Sequence, residues 1–125
     1  MNTLQPSITT GILFLFLFAF GFILSRTGKP YKTILFNVHK FIGLGLVVFL
    51  VVSLNRMHQA VPLTPAEITI LVVTALLFAV TIVAGGLLDA LESAPRALTT
   101  IHHWLPYITV ISTAVSLYLV LHARA

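Results

Sequence analysis

Apolar residues occur in four long, nearly uncharged runs, separated by short segments with charged and turn-forming residues. The runs extend over about residues 8–24, 33–54, 68–88 and 98–121. Each run is long enough to cross a bilayer, which takes roughly 20 helical residues. Because the connections are short, consecutive helices are expected to be antiparallel neighbours. The pattern predicts an all-α integral membrane protein, a four-helix up-down-up-down bundle that forms a single transmembrane domain over residues 1–125.

Two local features refine the predicted helices. The residues before the first run lack the basic segment of a secretory signal, so we expect this run to be retained as a helix. Thr64-Pro65-Ala66-Glu67 has the pattern of a capping box with proline at the first helical position, and it therefore predicts the start of the third helix.

Composition narrows the class of protein further. Of the 125 residues, 58% are hydrophobic and 8% are charged, whereas a soluble domain has about a quarter of its residues charged. A net charge of +4 is too thinly spread for a nucleic-acid-binding surface. Cysteine is absent from the sequence, which excludes disulfides, iron–sulfur clusters, zinc–thiolate sites and thioether-attached haem. We find no pattern for a catalytic site: neither paired carboxylates within a span, nor a nucleophile with a positioned base, nor a glycine-rich nucleotide loop.

The distribution of lysine and arginine predicts the orientation in the membrane. The connections on one side hold Arg26, Lys29, Lys32 and Arg96, with Lys40 close by, whereas the other side has Arg56 and Arg124. Since cytoplasmic loops are enriched in lysine and arginine, both termini are expected to lie on the non-cytoplasmic side. We expect the membrane to be a bacterial or an organellar inner membrane.

All five histidines lie on the second and fourth predicted helices or just beyond their ends. These two helices run in the same direction, so His39 is expected at the depth of His102 or His103, and His58 at the depth of His122. Histidines within a membrane span are rare and usually functional. The sequence therefore predicts two pairs of histidines, one near each membrane surface.

The segments around the first pair of histidines resemble each other at an offset of 63 residues, where His39-Lys40-Phe41-Ile42-Gly43 aligns with His102-His103-Trp104-Leu105-Pro106. This alignment suggests two related helical hairpins and favours His102 as the counterpart of His39. A polar stripe on the fourth helix, which continues from His102 through Thr109 to Ser116, is suited to an interior face and also favours His102. The 19-residue separation of His39 and His58 favours His103 instead, because the same number separates His103 from His122.

Two neutral imidazoles from facing transmembrane helices can hold a six-coordinate b-type haem, which needs no cysteine. Gly43 and Gly45 lack side chains that would collide with a macrocycle. Haem propionates need cationic partners near a membrane surface, and the candidates are Lys29, Lys32, Lys40 and Arg96 on one side and Arg56 and Arg124 on the other.

With histidines on its second and fourth helices, the chain resembles the haem-carrying bundle of b-type cytochromes, such as the cytochrome b of quinol-oxidising complexes and the ascorbate- or ferric-reductase-like membrane cytochromes. The resemblance covers all four spans. It implies that His39 and His102 are axial ligands of one haem, and His58 and His122 those of a second. The 19-residue spacing corresponds to roughly 28 Å along a helix, which places the second haem at the membrane surface. The sequence therefore leaves open whether the chain binds one haem or two. Met57 is an alternative ligand to His58.

The resemblance implies a membrane cytochrome that transfers electrons through bis-histidine haem b, as a subunit of or partner to a larger redox complex, in contact with lipid and in exchange with quinone. The chain is expected to be an electron-transfer protein rather than a stand-alone enzyme. The alternative is a non-redox accessory subunit of a respiratory or photosynthetic complex, whose histidines bind lipid headgroups or a chlorophyll. Transport of protons or metal ions ranks last, because apart from Ser and Thr the middle of every span is apolar.

Overall fold

The fold is all-α, as the sequence predicts. A computed structural model describes residues 4–28 and 31–124, with side chains for 5–28 and 31–122. The described chain contains four helices: α1 (Leu4–Thr27), α2 (Thr33–Ala60), α3 (Pro65–Ala90) and α4 (Arg96–Arg124). Each of the four is long and apolar enough to cross a membrane. The chain is therefore an integral membrane protein by the length and composition of its helices.

The helices form two compact units, residues 1–60 with α1 and α2, and residues 61–125 with α3 and α4. In the first hairpin, Gly21 faces His39 and Leu17 faces Gly43. In the second, Gly85 faces His102 and Thr74 faces Ser116. In both pairs of contacts the residue number rises on one helix as it falls on the other, so each unit is an antiparallel helical hairpin.

The two hairpins have chemically different interiors. The buried side chains of the first include Phe14, Leu46 and Leu50. In the second, the stripe on α4 is buried against α3, as predicted: Thr81 and Thr109 approach to 3.4 Å between their hydroxyl oxygens, and Thr74 forms hydrogen bonds with the hydroxyls of Ser112 and Ser116. Hydroxyl groups thus link the helices of the second hairpin, whereas apolar packing dominates in the first.

The helices extend beyond the apolar runs. The prediction that His58 lies just past the end of the second helix is wrong, because α2 continues to Ala60. Asp89 and Arg96 lie between the third and fourth apolar runs, where the sequence predicts a loop, but they belong to α3 and α4. Hydropathy reports which residues suit the bilayer interior, but a helix continues through polar residues until a breaker such as Pro62 intervenes.

Local chemistry explains where two helices begin and end. At the start of α3, the side chain of Thr64 accepts a hydrogen bond from the main-chain nitrogen of Glu67 at 3.2 Å, and Pro65 is the first helical residue, which confirms the predicted cap. Gly28 follows the end of α1 with φ of 67°, a left-handed conformation that glycine adopts without strain. Its N–H donates to the carbonyl of Leu24 at 3.0 Å and so satisfies one of the last acceptors of α1.

Replacing Thr64 with alanine is expected to lower the free energy of unfolding by about 1 kcal/mol, because the N–H of Glu67 loses its acceptor. Thr64→Ser retains the accepting oxygen and is the matched control. Denaturation in detergent micelles, followed by circular dichroism, measures both variants. Equal stability of the alanine and serine variants would show that the cap contributes nothing.

Candidate functional site

His39 is held against the neighbouring helix by a hydrogen bond to its main chain. The imidazole is half-buried, and its Nδ1 lies 3.0 Å from the carbonyl oxygen of Leu17 on α1. A carbonyl oxygen only accepts, so Nδ1 carries the proton and donates. In the neutral ring of this tautomer, the lone pair is on Nε2.

His102 repeats this arrangement in the second hairpin. Its ring is also half-buried, and Nδ1 lies 3.0 Å from the carbonyl oxygen of Thr81 on α3. The histidines are 63 residues apart and the accepting residues 64 apart, so the predicted relationship between the hairpins extends from sequence to contacts. Both hairpins therefore hold one histidine in the same tautomer.

A glycine lies under each of these imidazoles. A Cβ added to Gly21 would be 3.0 Å from Cε1 of His39, and one added to Gly85 would be 2.7 Å from Cε1 of His102. Sequence reasoning missed both glycines. The two are 64 residues apart, and each follows the accepting residue, Leu17 or Thr81, by four positions, a regularity that has meaning only once the helices are paired.

His103, which the sequence left as an alternative to His102, points in a different direction. Its side chain is exposed, and its ring makes an edge-to-face contact with Trp104 at 5.3 Å between centroids. Trp104 and Tyr107 are also exposed and 6.1 Å apart, so this face of α4 is an aromatic surface suited to the membrane interface. Orientation thus favours His102 as the functional residue of the two.

The histidines of the second predicted pair are both exposed. His58 lies in the last turn of α2, next to Met57, which is 4% exposed and so packed within the protein. His122 stacks on Tyr118 of its own helix, with centroids 5.4 Å apart and an interplanar angle of 10°. The ring of His122 thus rests on its own helix, whereas the rings of His39 and His102 reach a carbonyl of the neighbouring helix.

The two glycines predicted to make room for a macrocycle have different surroundings. A Cβ on Gly43 would lie 3.5 Å from the side chain of Leu17, so Gly43 faces α1, whereas a Cβ on Gly45 would meet nothing within 4 Å. Pro106 lies inside α4, four residues after His102, and cannot donate to the carbonyl of that residue. Of the two glycines, Gly45 therefore borders open space, whereas Gly43 is in contact with α1.

Of the cationic residues predicted to bind propionates, Lys32, Lys40, Arg56 and Arg96 are exposed, whereas Lys29 lies outside the described residues. Lys40 follows His39 directly, and its Nζ lies 5.5 Å from the centre of the Phe41 ring. Arg96 begins α4, and Arg56 lies near the end of α2. The side chain of Arg124 lies outside the described residues.

The described residues contain no group of three or more His, Cys, Asp or Glu side chains that could hold a metal ion. What they do offer is two imidazoles, one in each hairpin, whose tautomer places the lone pair on Nε2. Such a nitrogen can bind an iron or magnesium centre of a tetrapyrrole as an axial ligand. The pairing of His39 with His102 stays a prediction from the order of the helices.

Comparisons of the chain with models of protein families, with curated proteins and with solved structures gave no match. The function of the protein must therefore be inferred from its own residues.

Proposed function

We propose that the protein is a membrane b-type cytochrome in which His39 and His102 are the axial ligands of one haem. One observation carries this proposal: in both hairpins an imidazole donates its Nδ1 proton to a main-chain carbonyl of the partner helix, at 3.0 Å in each case. Histidines that bind metals commonly donate their other ring N–H in this way, which fixes the ring and makes it more basic.

The donor set fits haem b. Neutral imidazole nitrogens are suitable axial ligands for haem iron, and non-covalent binding suits a chain that contains no cysteine. When bound, haem b supplies a one-electron iron couple that can carry electrons through an apolar layer. The protein's own contribution is to hold Nε2 of each histidine in the basic form and to exclude water with its apolar helices.

The charged residues support the same proposal. Lys40 directly follows His39, and Arg96 precedes His102 by six residues in α4. Cations at the start of these helices are placed to neutralise the two propionates of a haem near the membrane surface. Arg56 is the corresponding cation for a second haem.

The finer features of the proposal follow from the sequence. The connection between α1 and α2 and the start of α4 face the cytoplasm, both termini face away from it, and the membrane is bacterial or an organellar inner membrane. The cytochrome exchanges electrons with a partner subunit of a redox complex or with quinone. His58 and His122 hold a second haem only if the stoichiometry requires it.

A reduced-minus-oxidised visible spectrum of the protein purified from its native membrane, with haem quantified per polypeptide, tests the proposal. We expect the sharp bands of low-spin b-type haem at a ratio of about one, because His39 and His102 share the carbonyl-bonded arrangement and together supply the two axial ligands of one haem. A ratio near two would restore the pair His58 and His122.

A protein purified without haem would overturn the cytochrome proposal. The non-redox accessory subunit would then be the better hypothesis, and the proteins that co-purify with the chain would identify the complex. Bound chlorophyll in place of haem would support that second hypothesis directly.

A further inference from the structure

A carbonyl oxygen within a helix can accept a second hydrogen bond, from a neighbouring helix, only if no side chain of its own helix blocks access to it. Within a helix the carbonyl of residue i accepts from the N–H of residue i+4, and one lone pair remains. The Cα–Cβ bond of a helical residue is tilted toward the N-terminus, so its side chain covers the preceding turn. The residue at i+4 therefore decides whether a neighbouring helix can reach the carbonyl of residue i.

Both hairpins have glycine at this position. Gly21 follows Leu17 by four residues and Gly85 follows Thr81 by four residues, and the carbonyls of Leu17 and Thr81 are the acceptors for His39 and His102. The space that each Cβ would occupy is filled by the imidazole. The same three-part unit, an uncovered carbonyl, a glycine and a histidine from the other helix, thus occurs twice in the chain.

We propose that Gly21 and Gly85 are positioning residues, each of which admits a histidine ring to the neighbouring main chain and so fixes Nε2 as its ligand atom. That the ligand is haem rests on the proposed function. The positioning itself is a property of each hairpin and is measurable without haem.

The two positions differ in how much room they leave. A Cβ on Gly85 at 2.7 Å from Cε1 of His102 requires the ring or the helices to move, and its distances to Nδ1 and Nε2 are both 3.3 Å. At Gly21 the corresponding distance to Cε1 of His39 is 3.0 Å and that to Nδ1 is 3.6 Å. Gly85→Ala should therefore disturb His102 more than Gly21→Ala disturbs His39.

Gly86 provides a matched control for Gly85. It is the next residue of the same helix, and a Cβ added there would meet nothing within 4 Å. Alanine favours the helical state over glycine at either position. A defect found in Gly85→Ala and not in Gly86→Ala must therefore come from the contact with His102.

The experiment is nitrogen-15 NMR of the full-length protein, labelled at its histidine side chains, in detergent at about pH 8, above the ordinary imidazole pKa of about 6.5. Removing haem from one sample and leaving it in another separates positioning from ligation. His39→Gln and His102→Gln assign the two signals. In the haem-free wild-type protein, we expect both histidines to be protonated at Nδ1 and unprotonated at Nε2.

In Gly85→Ala we expect His102 to lose the Nδ1-protonated form, while His39 and the Gly86→Ala protein keep it. In the haem-loaded samples, Gly85→Ala should bind haem about 10- to 100-fold more weakly than Gly86→Ala, the usual loss when a group that orients a ligand is disturbed. Retention of the Nδ1-protonated form of His102 in Gly85→Ala would overturn the proposal.

Gly21→Ala repeats the test at the less crowded position, with Gly11→Ala as its control, because Gly11 lies in the same helix and a Cβ added there would meet nothing within 4 Å. The Gly21→Ala variant tests the proposal on its own if the Gly85→Ala protein does not fold. We expect a partial loss of the Nδ1-protonated form of His39, and an unchanged His39 signal would count against the proposal. Correct tautomers in a protein that never binds haem would support the positioning and overturn the proposed function alone.

Discussion

His102→Ala is expected to abolish the low-spin haem spectrum. If Nε2 of His102 is an axial ligand, its removal leaves the iron with at most one imidazole, and alanine offers no donor to replace it. The carbonyl of Thr81 also loses the partner that lies 3.0 Å away. We expect either high-spin haem at reduced occupancy or apoprotein, measured by visible spectroscopy and by extracted haem per polypeptide.

His103→Ala is the control for this experiment. It removes an imidazole from the next residue of the same helix, but one that is exposed and rests on Trp104. We expect its spectrum and haem content to match the wild type. Loss of the low-spin bands in His103→Ala, with retention in His102→Ala, would reverse the assignment and restore the alternative that the 19-residue spacing favours.

The four helices were predictable from the sequence because each span must be continuously apolar to lie in lipid. The ends of the helices were less predictable. The cap at Thr64 was recognised, since its pattern involves side chains, but the extension of α2 to Ala60 was not. Residues such as Asn55 and Gln59 are polar enough to end a hydrophobic run, yet they do not break a helix.

The histidines of the candidate site could also be identified from the sequence, but the residues and groups around them could be predicted only in part. The stripe of Thr109, Thr113 and Ser116 correctly indicated the face of α4 that packs inward. The acceptors for His39 and His102 are main-chain carbonyls, which every residue possesses, so no side-chain pattern points to them. Only the glycine four residues later marks such a carbonyl, and that mark has meaning once the helices are paired.

Thr74→Val is expected to destabilise the second hairpin by about 1 kcal/mol, within the range measured for hydrogen bonds between transmembrane helices. Thr74 donates its hydroxyl proton to the carbonyl of Ile70 at 2.8 Å, so its oxygen acts as an acceptor for the hydroxyl of Ser112. Ser116 donates its own hydroxyl proton to the carbonyl of Ser112 at 2.8 Å and keeps this bond in the variant. Valine therefore removes the interhelical partner of the half-buried Ser112 hydroxyl.

Thr69→Val is the matched control, because Thr69 lies in the same helix and donates to the carbonyl of Pro65 at the same distance of 2.8 Å, but its side chain is exposed. Unfolding in mixed detergent micelles, followed by circular dichroism, measures the free energy of unfolding of each variant. Adding Ser112→Ala to Thr74→Val removes the stranded hydroxyl, so the double variant should be less destabilised than the sum of the single changes. Strict additivity, or equal effects of Thr74→Val and Thr69→Val, would mean that the hydroxyl contacts between α3 and α4 contribute no stability to the hairpin that holds His102.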